Sequence, residues 1–334
     1  MALSGKLWPT HPHPFPNELL SSWLVRIAHA NGLKVQTFCQ HEFGGDWQVW
    51  MRDIDRMAPE WLVKAICAHT GTPEKVAWQS TLSEYEGWLY LNRHPYGQQR
   101  WIVPLKVRSK KRLGYGLVFC PACLSEDEEP YFRLSWRVAF YTFCPYHDIL
   151  MHDRCPACSA PVVFQRIELG KYEVDDYQPL CICHACGFDL REAEKMPMAP
   201  YSQEPYLWWH CALRSADRHI PKRKPDMEHL NVLHQLCKVM VSHRHPLDLQ
   251  RYASRQIKNA PTIDVLPGDR IAFEQRLVAD RHHILQLAFW LLIRPQRLVS
   301  AWKEQAVRYN ELVREFEDAP EWYSDLLKPL NRSG

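Results

Sequence analysis

Four pairs of potential metal ligands with one common spacing constrain this chain more than any other feature of its sequence. In each pair, cysteine or histidine residues are separated by two others. The pairs are Cys120 with Cys123, Cys144 with His147, Cys155 with Cys158, and Cys183 with Cys186. Zinc prefers thiolate and imidazole donors in a tetrahedral array, and two ligands on one tight turn can reach the same ion. The first two pairs therefore predict one structural Zn²⁺ site and the last two predict a second, each closed by four protein ligands.

The fourth pair leaves one choice of ligand open. Cys181, Cys183, His184 and Cys186 all lie within six residues, so Cys181 or His184 could replace Cys183. The spacing of the other pairs favours Cys183. Because zinc binding contributes on the order of 10 kcal/mol to the folding of small domains, we expect this segment to depend on metal.

The composition is that of a folded cytoplasmic protein. Hydrophobic residues make up 46% and charged residues 24% of the 334 residues, and the net charge is +3. The longest apolar run, 284–293, is far shorter than the roughly 20 residues that cross a bilayer, and no apolar signal-peptide core is found near the start. We expect no membrane partner. Since cytosolic thiols stay reduced, the twelve cysteines favour metal binding over disulfides.

The remaining sequence is typical of short helices, so the expected fold class is mainly α. We predict a helical, helix-turn-helix-like N-terminal domain at 1–105, a central double zinc-finger module resembling zinc ribbons at 106–200, and a C-terminal helical domain at 201–334. Asn17 is expected to cap the first helix, which ends at Asn31-Gly32.

The segment from Ala65 to Leu82 has the pattern helix, glycine turn, helix. This pattern predicts a helix-turn-helix whose second helix could enter a DNA major groove. An ordinary antiparallel helix pair remains an equal alternative. Near the C-terminus we predict one helix from Asp269 to about Arg294 and, after a break at Pro295, a second helical run through Phe316.

A basic cluster between the N-terminal and zinc-binding segments contains the candidate nucleic-acid contacts. These are Arg108, Lys110, Lys111 and Arg112. They could follow a phosphate backbone, although a solvated linker has the same composition.

Other cysteines and histidines fit structural positions. The isolated residues Cys39, Cys67, Cys211 and Cys237 are predicted to be buried in the core, and the pair His282 and His283 to lie on the surface.

No pattern for catalysis is found. The sequence contains no phosphate-binding loop, no dinucleotide-binding glycine motif, no nucleophile elbow and no His-Glu-x-x-His motif. Both predicted zinc sites are closed, so neither has an open position for water. We expect no catalytic residues, no organic cofactor and no enzymatic activity. A metal-dependent nuclease with carboxylates from distant positions is the remaining enzymatic alternative.

Several segments resemble the TniQ family of transposon target-selection proteins. The segment FPNELLSSWLVRIAHANG at 15–32 is similar to the opening helix of that family. Four further segments are similar to the family's zinc-binding pattern. They are FCPACL at 119–124, YFRLSW at 131–136, FCPYHD at 143–148 and DRCPAC at 153–158. The resemblance covers roughly the first 190 residues, and the helical remainder matches only in general character.

The resemblance implies a non-catalytic adaptor. Such proteins mark a target site, which is a DNA site or a CRISPR RNA-guided complex, and recruit the AAA+ ATPase that engages the transposase. Some act as homodimers. Relatives that read DNA sequence carry extended C-terminal regions, so this chain is expected to resemble the shorter, adaptor-like members. The alternative function is a free-standing zinc-containing helix-turn-helix transcriptional regulator.

Overall fold

The fold is mainly helical, as predicted. The computed structural model describes residues 6–45, 48–94, 96–105, 115–168, 179–218, 226–242, 247–267 and 271–331. Within these ranges there are thirteen α-helices and one antiparallel two-stranded sheet. The helices are α1 (Leu20–Ala30), α2 (Val35–Phe43), α3 (Ile54–Met57), α4 (Glu60–Thr70), α5 (Glu74–Trp78), α6 (Pro121–Glu126), α7 (Gln203–Arg218), α8 (Met227–Met240), α9 (Asp248–Gln256), α10 (Val278–Ile293), α11 (Gln296–Lys303), α12 (Tyr309–Val313) and α13 (Glu321–Asn331). The strands are β1 (Phe143–Cys144) and β2 (Ile149–Leu150).

Helix α1 is the first buried element, and its N-terminus differs from the prediction. The N-cap is Leu19, and Asn17 does not cap the helix. Asn17 adopts a left-handed backbone with φ of 59°, and its amide donates to Ser135 and to Asp217. Its side chain is therefore used for tertiary contacts. The helix ends at Ala30 with Asn31 as its C-cap, and Gly32 follows with a left-handed φ of 68°, so the predicted end at Asn31-Gly32 is confirmed.

Helices α4 and α5 form the predicted helix pair. Helix α4 follows Pro59 and ends at Thr70, and its C-cap Gly71 has a left-handed φ of 70° that terminates the helix. Helix α5 begins three residues later, after Pro73, and has only five residues. The backbone thus has the expected helix, turn, helix outline, and a DNA-reading role for it stays a prediction.

The segment between the first two ligand pairs joins the N-terminal helices to the metal-binding region. The side chains of Phe132, Leu134 and Trp136 are fully buried. The Leu134 N–H donates to the Asn17 carbonyl at 2.6 Å, and the Leu19 N–H donates to the Phe132 carbonyl at 2.9 Å. This segment therefore pairs directly with the chain that enters α1.

The buried Arg137 links the same segment to α3. Its guanidinium donates to Asp53 at 2.6 Å and to Asp55 at 3.3 Å, and it also reaches the Val103 carbonyl. Asp55 also accepts hydrogen bonds from the backbone and hydroxyl of Ser21 on α1. A buried charge needs such a set of partners, because an unpaired one would cost several kcal/mol.

Helix α10 lies at the centre of the C-terminal helices and begins later than predicted. It starts at Val278 rather than near Asp269 and packs against α7, α8 and α9. The residues before it form a short 3-10 helix, Phe273–Gln275. There the buried Glu274 accepts from the Trp101 N–H at 3.0 Å and contacts His234 at 2.7 Å. These long-range contacts fix a conformation that local helix propensity did not indicate.

Between Pro295 and Phe316 the chain forms two helices, where one run had been predicted. Helix α10 ends at Ile293 and α11 begins at Gln296, so the break at Pro295 is confirmed. Helix α11 then stops, Gln305 takes a left-handed φ of 59°, and the chain continues as α12. The run through Phe316 is therefore interrupted.

Two predictions about burial were wrong. Cys211 is exposed, whereas Cys39, Cys67 and Cys237 are buried as predicted. His282 and His283 are buried rather than on the surface. His282 contacts the Thr142 hydroxyl at 2.8 Å, and burial lowers its pKa to about 3. It is therefore a neutral core residue on α10.

Asp217, on α7, connects three separate parts of the chain. Its carboxylate accepts from Asn17 at 3.1 Å, from Ser135 at 2.5 Å and from Tyr141 at 2.8 Å. A charge-assisted network of this kind fixes the relative positions of the elements that contribute to it.

The division into domains at 1–105, 106–200 and 201–334 stays a prediction. Among the described residues, none of the helices combines the length and apolar character needed to cross a lipid bilayer.

Candidate metal centres

The first ligand group is built by a short helix and a hairpin. Cys120 is the N-cap of α6, and its sulfur accepts from the Cys123 N–H at 3.4 Å. Cys144 is the last residue of β1, and His147 lies in the turn that leads to β2. Backbone hydrogen bonds in both directions between Phe119 and His152 bring the two turns together.

Three of the four ligand turns use the same local geometry. The residue four positions after the first ligand has a left-handed backbone and donates its N–H to that ligand's carbonyl. These residues are Asp148, Ser159 and Gly187, with φ of 50°, 59° and 76° and hydrogen bonds of 2.9 Å. The turn folds the backbone around a point between the two side chains. The equivalent position after Cys120, Leu124, lies in α6 and makes the same hydrogen bond at 3.1 Å.

The four donor atoms of the first group lie at the separations that a tetrahedral zinc site requires. The sulfurs of Cys123 and Cys144 are 3.6 Å apart. Nδ1 of His147 lies 3.6, 3.4 and 3.3 Å from the sulfurs of Cys120, Cys123 and Cys144. Zinc–ligand bonds of about 2.3 Å to sulfur and about 2.0 Å to nitrogen place tetrahedral donors about 3.5–3.8 Å apart. A disulfide would bring two sulfurs to about 2.05 Å. The arrangement therefore fits a metal ion.

The second group has four thiols in a matching arrangement. The sulfurs of Cys155 and Cys186 are 3.7 Å apart, and those of Cys158 and Cys183 are also 3.7 Å apart. In both groups all four donor atoms lie within 4.8 Å of one another. Each group can therefore hold a metal ion.

The thiols of the first group favour a cation. Hydrogen bonding to the Cys120 sulfur raises the pKa of the Cys123 and Cys144 thiols. The three sulfurs therefore resist ionising together, and a divalent cation would supply the charge that stabilises all three as thiolates.

For the fourth ligand pair, the structure distinguishes Cys183 from the alternative ligands Cys181 and His184 by position. Cys183 lies in the second group, and neither Cys181 nor His184 does. Cys181 is fully buried, and burial raises the pKa of its thiol to about 12. Burial also lowers the pKa of His184. That Cys183 acts as the ligand stays a prediction, now supported by its position.

The candidate nucleic-acid contacts Arg108, Lys110, Lys111 and Arg112 lie outside the described residues. Their role stays a prediction.

One contact at the first group was missed from the sequence. The carboxylate of Glu126 lies 2.9 Å from Nε2 of His147, and no motif had indicated this contact. The position of Glu126 at three residues after Cys123 on a helix was the available signal, since such residues share one helix side.

Comparison with protein families gives a match. The model of the TniQ family matches residues 9–151. The matched part contains α1 to α6, the strand pair and the whole first ligand group, while the second ligand group follows it. A search of curated proteins gave no match to the chain.

Proposed function

Because the chain belongs to the TniQ family, we propose that it is a non-catalytic target-selection adaptor in DNA transposition. Family membership implies a transposon-associated role in target selection or DNA binding. The proposal goes further: the chain links a target-site recogniser to the transposon's AAA+ ATPase and, through it, to the transposase. The recogniser is a DNA site or a CRISPR RNA-guided complex. The family match over residues 9–151 carries the proposal.

We also propose that each ligand group holds one structural zinc ion. Support comes from the donor types, three thiols with one imidazole and four thiols, and from separations of 3.3–3.7 Å between donors. Four protein donors complete a tetrahedral coordination and leave no position for a substrate. When bound, the metal supplies folding free energy, and the protein residues set the position of the turns around it.

The surroundings of the first ligand group favour a rigid scaffold over a reaction centre. Tyr141 is hydrogen-bonded to Asp217, and Phe119 and His152 are stacked with ring centroids 5.3 Å apart. An adaptor needs such rigidity, because its partners must be held in a fixed relative orientation.

The second candidate function, a DNA-binding transcriptional regulator, is favoured by the helix pair α4 and α5. Lys75, Val76 and Gln79 lie exposed on or next to α5. Lysine and glutamine are residue types that contact phosphates and base edges. With only five residues, however, α5 offers a short recognition surface.

The decisive experiment compares partner dependence. The purified full chain is mixed with the AAA+ ATPase of its transposon, with and without duplex DNA of the target region, and complexes are measured by analytical ultracentrifugation. The adaptor proposal predicts an ATPase complex and loss of targeted insertion when the gene is deleted. Tight binding to one DNA sequence, with no ATPase complex and unchanged insertion, would establish the regulator instead. We also propose that the chain forms a homodimer, as the resemblance implies for some family members, and the same sedimentation data without partners test this.

A matched pair of variants tests DNA contact by α5. Lys75→Glu should weaken DNA binding and reduce its salt dependence by about one released counterion if α5 touches phosphates. Lys303→Glu on α11 makes the same charge change at another exposed site and is the control. Equal effects of the two substitutions would exclude a specific role for α5.

A further inference from the structure

Glu126 occupies a defined position beside the first ligand group. It is the last residue of α6, the helix that also carries Cys123 three residues earlier. Residues three apart on a helix lie on the same side, so α6 directs both the Cys123 sulfur and the Glu126 carboxylate towards the second ligand turn. The carboxylate oxygen Oε1 lies 2.9 Å from Nε2 of His147. Glu126 thus adds a contact between the helix of the first ligand pair and the histidine of the second pair, and this contact does not involve the four donor atoms.

His147 is the ligand for which such a contact matters most. Its ring has two nitrogens, and either could face a metal, whereas each thiol has one donor atom. Here Nδ1 faces the three sulfurs at 3.3–3.6 Å, and Nε2 faces Glu126. A carboxylate on Nε2 favours the tautomer with its proton there. That tautomer leaves the Nδ1 lone pair directed at the thiols.

We propose that Glu126 is a positioning residue for the first metal site, which fixes the ring orientation and tautomer of His147 and thereby slows loss of the ion. This inference rests on the proposed zinc binding and extends it to a residue outside the four donors. The side chain of Glu126 is 69% exposed and that of His147 is 18% exposed. The effect therefore concerns the geometry of the ligand, and Glu126 contributes little to the core.

Neighbouring acids provide controls for charge. Glu128 is exposed and lies two residues beyond Glu126, so its removal changes the local charge equally without touching His147. Glu129 is unsuitable, because it pairs with the buried Arg26 at 3.0 Å. The second ligand group has four thiols and no histidine, so it serves as an internal reference within every variant.

The test measures zinc release from the full, zinc-loaded chain. A chelating indicator, 4-(2-pyridylazo)resorcinol, is added in excess and its absorbance change is followed. We expect Glu126→Ala to accelerate release from one of the two sites by about 10–100-fold, with the other unchanged, because loss of such outer contacts costs about that factor. Glu126→Gln keeps a carbonyl acceptor for Nε2–H and should restore most of the wild-type rate. Glu128→Ala should release zinc as the wild type does.

Cobalt substitution gives a second readout that a general loss of stability would not change. Co²⁺ replaces zinc, and the ligand-field absorption of the Cys3His site should change in Glu126→Ala and be retained in Glu126→Gln. If the wild-type chain holds two zinc ions but Glu126→Ala and Glu128→Ala have equal release rates and spectra, the proposed role of Glu126 is overturned and the zinc proposal still holds. A wild-type chain with fewer than two zinc ions would overturn the metal proposal and this inference together.

Discussion

Substitution of the buried Glu18 by glutamine should change how the stability of the protein depends on pH. Glu18 lies just before α1 and is almost completely buried. Its carboxylate accepts from the Phe15 N–H at 2.9 Å, the Ser22 hydroxyl at 2.8 Å and the Arg26 guanidinium at 2.8 Å. Burial nevertheless outweighs these partners and raises the pKa of Glu18 from 4.5 to about 7.

The sign and size of the effect follow from that pKa. A carboxyl whose pKa is higher in the folded protein than in the unfolded chain binds its proton more readily when folded. Its contribution to stability is therefore fully present below pH 4.5 and is lost as the pH rises through about 7. With about 1.36 kcal/mol per pKa unit, the loss between about pH 6 and about pH 8.5 is on the order of 1 kcal/mol. Glutamine does not titrate, so Glu18→Gln should lack this loss.

The assay is urea unfolding of the zinc-saturated chain at both pH values, followed by tryptophan fluorescence. The difference in unfolding free energy between Glu18→Gln and the wild type should shift by on the order of 1 kcal/mol in favour of the variant at the higher pH. Glu128→Gln, at an exposed acid, is the control, and its unfolding free energy should depend on pH in the same way as that of the wild type. A difference that does not vary with pH, or that shifts in favour of the wild type, would refute the dominance of burial over the ion pair with Arg26.

Three further outcomes are expected. Metal analysis should give two zinc ions per wild-type chain under the four-ligand rule and one for Cys123→Ser, with several kcal/mol less stability, whereas Cys211→Ser should keep both ions. Gly71→Ala should lower the unfolding free energy by about 1 kcal/mol in thermal unfolding, because alanine at a φ of 70° is strained. Its added Cβ would meet Leu7 only at an ordinary 3.6 Å, so a loss of several kcal/mol would contradict this reasoning. Charge reversal at Lys110 and Lys111 should weaken DNA binding and lower its salt dependence, and unchanged binding would favour the linker interpretation.

Local patterns predicted the parts of the structure that local geometry determines. The ligand groups could be anticipated because a tight turn brings two residues of fixed spacing together, as the shared turn at Asp148, Ser159 and Gly187 illustrates. The end of α1 at Asn31 and Gly32 and the break at Pro295 are likewise properties of a few neighbouring residues. The family resemblance depended on the segments around the ligands and agrees with the family match.

Features that depend on distant residues were not predictable in this way. The sequence predicted Asn17 to be a helix cap, but its side-chain amide donates hydrogen bonds to Ser135, 118 residues away, and to Asp217, 200 residues away. His282 and His283 are polar by type, and only the packing of α10 against other helices shows that they are buried. A single sequence contains no information on which surfaces will meet, so such residues are assigned to the outside by default.

The carboxylate of Asp217 has a practical consequence for dissecting the protein. The family match ends at residue 151, but Asp217 lies 66 positions later and satisfies donors from Asn17, Ser135 and Tyr141. A fragment cut at that boundary would leave the Ser135 and Tyr141 hydroxyls without this acceptor, and the Asn17 amide would keep only its contact to Ser135. It would also remove Trp209, whose indole donates to the Phe140 carbonyl at 2.9 Å and packs edge-on against Phe143. We therefore expect expression of residues 9–151 alone to yield aggregated protein.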